Sequence, residues 1–85
     1  MKHLLAFVKQ RNAFRALFKN PPLDLTVASD RQSVAEIIDS ALSPENLTCD
    51  GELPRSQVQA RYRELTAVAK ELKQLDPAVK FYEFA

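Results

Sequence analysis

The stretch that decides the fold is PRSQVQARYRELTAVAKELKQ, residues 54–74. Within it Val58, Tyr62, Leu65, Ala69 and Leu72 recur at steps of four, three, four and three. At about 3.6 residues per turn this spacing sets all five on one side of an α-helix. Val68 and Leu75 widen the stripe, while Arg55, Arg61, Arg63, Glu64, Lys70, Glu71 and Lys73 fall mostly outside it. The helix is therefore amphipathic, with one polar side for water. It cannot bury its own apolar side, so other segments must cover it.

Working toward the amino terminus, Asp50-Gly51 marks a turn whose glycine can adopt positive φ. Before it, Ser43-Pro44-Glu45 has the form of a helix start, with serine as cap and proline in the first turn. So few residues separate these signals that a single helical turn over 44–48 is predicted. Val34, Ile37, Ile38, Ala41 and Leu42 form a wide apolar stripe, which predicts a well-covered helix over 30–42. Ser29-x-x-Gln32 reads as a capping box at its start, and Ser56-x-x-Gln59 repeats the signal on the long helix.

Leu23, Leu25 and Val27 alternate with Asp24 and Thr26, the period of a short strand or of an extended connector with one apolar side. Asn20-Pro21-Pro22 ends whatever helix precedes it, because proline lacks an amide hydrogen and disfavours helical geometry in the residue before it. Residues 2–19 have helical spacing in Leu4, Phe7, Val8, Phe14, Leu17 and Phe18, but Arg11 falls inside that arc. Three arrangements accommodate it: the stem lies along apolar surface with its head in water, the helix breaks near Asn12, or Arg11 pairs with an acid from residues 24–53.

The expected architecture is all-α: one domain over 1–85, with helices at 2–19, 30–42 and 54–75, plus the short turn. Its predicted core is Phe7, Phe14, Phe18, Val34, Ile37, Ile38, Leu42, Val58, Tyr62, Leu65, Val68 and Leu72. The tail after Asp76-Pro77 carries Val79, Phe81, Tyr82 and Phe84, too much apolar surface to leave free, so it should dock on the helices or on another chain. Pairing of the tail with 23–27 would add a minor two-stranded β element. At 85 residues the core is thin.

The net charge of +1 conceals three blocks. Residues 1–23 hold Lys2, Lys9, Arg11, Arg15 and Lys19 and no acid, giving +5. Residues 24–53 hold Asp24, Asp30, Glu36, Asp39, Glu45, Asp50 and Glu52 against Arg31, giving −6, and 54–85 sum to +2 from six bases and four acids. This order can be satisfied internally, between subunits or by a charged partner.

Chemistry-bearing motifs are absent from the sequence. Cys49 is the only cysteine and His3 the only histidine, so no cysteine-based disulfide or zinc cluster can be built from one chain. Cys49 adjoins an acid, which opposes thiolate formation. One glycine excludes a glycine-rich phosphate loop, and no spacing singles out a carboxylate pair. These points predict a protein that is not an enzyme and carries no metal or cofactor. No apolar run reaches membrane-spanning length or the form of a cleaved leader, and a cytoplasmic location is expected.

The leading functional expectation is a helical protein–protein interaction module, regulatory or accessory, that forms a homodimer. Its candidate contact residues are Tyr62, Phe81, Tyr82 and Phe84, because aromatics dominate binding hot spots. The alternative is nucleic-acid binding through Lys9, Arg11, Arg15, Lys19, Arg55, Arg61 and Arg63. Against that alternative stand a pI near 7.9 and a connector too long for a helix-turn-helix.

Overall fold

The computed structural model of the protein describes residues 1–83. It contains helix α1 at Lys2–Leu17, α2 at Ala28–Leu42, the single-turn α3 at Pro44–Leu47 and α4 at Arg55–Leu75. The long amphipathic helix is the organising element, packed against both α1 and α2, with α3 closing the corner between α2 and α4. Leu65, Val68, Ala69 and Leu72 of α4 meet Leu4 and Val8 of α1 and Val34, Ala35, Ile38 and Leu42 of α2 in one buried cluster. Leu4, Val34, Ile38, Val68 and Leu72 have no solvent contact. Truncating a fully enclosed leucine such as Leu72 to alanine would cost about 2–5 kcal/mol.

Both partner helices run antiparallel to α4. The Leu4 amide at the start of α1 donates to the Glu71 carboxylate at 2.9 Å, and further along α1, Phe14 lines a cavity with Arg61. Arg31 near the start of α2 meets Asp76 at the end of α4 at 2.7 Å, whereas Ala41 reaches the level of Arg61. Thus α1 and α2 point the same way, and the segment between them must travel back along the molecule. Leu23 is buried in the course of that return.

The sequence predicts the helices to within two residues at each end, but several finer expectations are corrected. No strand forms among the described residues: 23–27 passes into a turn, and the backbone at Lys80 pairs with the side chain of Gln32 instead. Neither predicted capping box is made. The caps of α2 and α4 are Val27 and Pro54, without side-chain bonds. Gln32 is already engaged by the tail, and the Ser33 hydroxyl takes the Ser29 carbonyl. Ser43 precedes α3 as expected, but its hydroxyl donates to the Ser40 carbonyl rather than capping. Phe14, Phe18 and Tyr62, predicted core residues, are exposed. Phe7 and Ile37 pack against the cluster from its edge, and Val58 is half-buried.

The reason lies in which turns of α1 find a partner. Leu4 and Val8 form the buried line, and continuing it by one and two turns gives Asn12 and Arg15, which are polar. Those two side chains hold the returning connector: Asn12 bonds Leu23, and Arg15 Nε donates to the Pro21 carbonyl at 2.9 Å. The second half of α1 therefore spends its inward side chains on the connector's backbone, and Phe14 and Phe18 are left mostly exposed.

Candidate functional site

The surface features that distinguish this molecule gather at one end, where the second half of α1 lies near the first half of α4. Phe14, Leu17 and Phe18 are 55%, 77% and 64% exposed. The rings of Phe14 and Phe18 lie 5.2 Å apart at 55°, a tilted pair that holds them as one apolar unit. Leu17 lies between them in sequence, on the last turn of α1. On α4, Tyr62 is 53% exposed and borders a separate apolar recess with Leu47, Val58, Gln59 and Arg63.

Between α1 and α2 lies an open cavity of about 590 Å³. Arg11 and Arg15 line it from α1, Ser33, Glu36 and Ser40 from α2, and Arg61 from α4. A second recess of about 350 Å³, lined by Phe7, Phe14 and Leu65, shares Arg11, Ala41 and Arg61 with the first. The two form a continuous groove, cationic in one part and aromatic in the other. In the first cavity three arginines against Glu36 leave a local charge of +2, and Glu64 in the second recess lowers the sum over the whole groove to +1.

The arginines are held differently. Arg61 donates from Nε to the Leu47 carbonyl and from a terminal nitrogen to the Asn46 carbonyl, both at 3.2 Å, which ties α4 to the end of α3. Arg15 uses Nε on Pro21 and keeps its terminal nitrogens for other acceptors. Arg11 makes no hydrogen bond or ion pair among the described residues. Helix α1 is unbroken at Asn12. Of the three arrangements open to Arg11 in sequence, the structure has its stem along the groove and its head in water.

The remaining expected anion-binding residues do not join this group. Lys9 is exposed on α1, Lys19 ends that helix, Arg55 occupies the first turn of α4, and Arg63 borders the Tyr62 recess. Nor do the expected contact aromatics form one patch. Phe81 packs against the core cluster, and Tyr82 is 86% exposed with its amide bound to Asp39. Phe84 lies outside the described residues. The tail thus docks in cis: Val79 is buried, Gln32 bonds both the amide and the carbonyl of Lys80, and Asp39 accepts from the amides of Tyr82 and Glu83.

Sequence reasoning missed the exposure of Phe14, Leu17 and Phe18. The signal that finds them is the switch of the 4–8 line to Asn12 and Arg15, which marks where α1 stops facing another helix.

No protein-family model, curated protein or solved structure matches this chain. No helix among the described residues is long and apolar enough to cross a membrane. No three potential metal-ligating side chains come together among them either. The three side-chain or terminal ion pairs are Met1 amine with Glu71, His3 with Glu64 and Arg31 with Asp76, again among the described residues. None joins the basic side chains of α1 to the acids of 36–52, so the charge blocks read in the sequence are not neutralised by direct internal pairing.

Proposed function

We propose that this protein is a non-catalytic, cytoplasmic helical interaction module that associates with itself, in a regulatory or accessory role. The observation that supports the reading is the uncovered Phe14–Leu17–Phe18 patch on the last turns of α1. Single exposed apolar residues are normal on a protein surface, but a contiguous aromatic patch beside a groove is what a binding surface offers. Half-buried Val58 and exposed Tyr62, on the first turns of α4, extend apolar surface at the same end.

A standard interface needs about 800 Å² from each partner. That is roughly one-seventh of the 5863 Å² of surface here. Light scattering on the purified chain, over a wide concentration range and under reducing conditions, tests the reading. A mass rising from monomer to dimer supports it, and a constant monomer mass contradicts it.

A second reading, nucleic-acid binding, draws on the meeting of Arg11, Arg15 and Arg61 in one cavity. Glu36 in the same lining and the scattering of the other four bases count against it. Titration of labelled duplex at two salt concentrations separates the two readings, because phosphate contacts weaken steeply as counterions are added.

A further inference from the structure

We propose that the groove lined by Arg11, Arg15 and Arg61 receives the acidic α3–loop segment of a second copy of this chain, with Glu45 and Glu52 as the anionic contacts. The proposal rests on the self-association reading above and names the surfaces that carry it.

Charge complementarity selects this occupant. The basic block and the acidic block are of similar size and opposite sign, and in one copy no direct ion pair links α1 to residues 36–52. Glu45, Asp50 and Glu52 are all exposed, on α3 and the turn after it. That turn is tightly closed: Cys49, Asp50 and Gly51 take φ of 49°, 57° and 84° in succession. The Asp50 amide bonds back to the Glu45 carbonyl at 2.8 Å, and the Leu53 amide to Thr48 at 3.1 Å. A preformed acidic projection loses little freedom on docking.

Position matters as much as charge. Asn46 of α3 itself lines the cavity, and Arg61 is bonded to α3, so the cationic groove and the acidic projection are neighbours on one copy. A two-fold axis passing beside them brings the projection of each copy to the groove of the other, so that one operation satisfies both contacts. Phe14 lines the same groove beside Arg11 and Arg61, so a copy seated there also approaches the Phe14–Phe18 pair. Arginine suits the cationic part because its planar fork meets carboxylates through paired hydrogen bonds.

The test is a charge exchange. Arg11→Glu alters the one groove arginine with no structural partner, and Glu45→Lys/Glu52→Lys alters the projection. Each variant alone should weaken self-association by about tenfold or more, measured by sedimentation equilibrium. An equimolar mixture should recover a heterodimer near wild-type strength, because both contacts are then of opposite sign again. If wild type associates and both variants associate equally well, the groove proposal is overturned while self-association stands. If wild type stays monomeric, the underlying reading fails and takes the proposal with it.

A second measurement leaves the charges in place. Gln10→Cys puts a thiol on the groove edge, and the natural Cys49 is exposed on the projection. A short bismaleimide should join position 10 of one copy to position 49 of the other as a covalent dimer. Dimers linked solely through 49 and 49 would contradict the arrangement.

Discussion

The Asn12 side chain binds both backbone groups of Leu23, accepting from its amide at 2.7 Å and donating to its carbonyl at 3.0 Å. A helical side chain here does what a neighbouring strand would do, and it fixes the returning connector so that Leu23 enters the core. Replacing Asn12 with alanine leaves two partly buried backbone groups without their partner. Each hydrogen bond contributes about 0.5–1.5 kcal/mol, more where the stranded group stays dry, so the loss should be about 2–3 kcal/mol. Urea unfolding of Asn12→Ala reads it directly. Asn12→Asp keeps the acceptor and loses the donor, and should fall between the two.

The tail contributes to stability by the same device. Gln32 holds Lys80, Asp39 holds the amides of Tyr82 and Glu83, and Val79, one residue before the first of these clamps, is buried. Removing two methyl-sized groups with Val79→Ala should cost about 2 kcal/mol. Asp39→Ala should release the amides of 82 and 83, seen as faster hydrogen exchange confined at first to the tail. Deletion of residues 77–85 should accordingly lower stability through the core rather than by removing a contact between copies.

Lys19 ends α1 with φ 58°. Its amide bonds to Ala16 at 3.1 Å and that of Asn20 to Arg15 at 3.0 Å, the paired closure of a Schellman motif. That motif places a left-handed residue where glycine avoids the clash a Cβ creates. Lys19→Gly should therefore stabilise the protein by about 1 kcal/mol, a gain visible as a higher denaturant midpoint with unchanged slope.

Acid should unfold the protein partly through two carboxyls. The Arg31 guanidinium bonded to Asp76, with help from the Ala78 amide, holds that carboxyl below its ordinary value. The Leu4 amide, followed by the nearby amino terminus, does the same for Glu71. Because both values are depressed in the folded state, their stabilisation is complete above the ordinary carboxylate range. It is lost as pH falls from about 4 through the folded values. Arg31→Gln should raise the titration midpoint of Asp76 and move the acid limb of thermal stability to higher pH. Carboxyl-carbon NMR titration measures the first and melting curves at stepped pH the second.

How much of this was legible beforehand follows from which interactions have a period. Helical stripes do, so Pro54–Gln74 announced α4, and Val34 to Leu42 announced α2. The positive φ of Gly51 was equally readable, because a lone glycine after aspartate in a turn has few other uses. The Asn12 and Gln32 clamps were not. An amide side chain on a helix looks the same in sequence whether it faces water or a strand of backbone, and its partners lie 11 and 48 residues away. For the same reason Phe14 and Phe18 read as core: periodicity finds an apolar face without saying whether another element reaches it.

The central claim is that the last turns of α1 are covered by another copy of the chain. Amide hydrogen exchange of residues 14–18, followed as protein concentration is raised, tests it most directly. Slowing with concentration in that segment, and loss of the slowing in Phe14→Ser/Phe18→Ser while the exchange of Val68 and Leu72 is unchanged, is the predicted result. Exchange at 14–18 that is the same at every concentration, in a wild-type sample that remains folded, would contradict it.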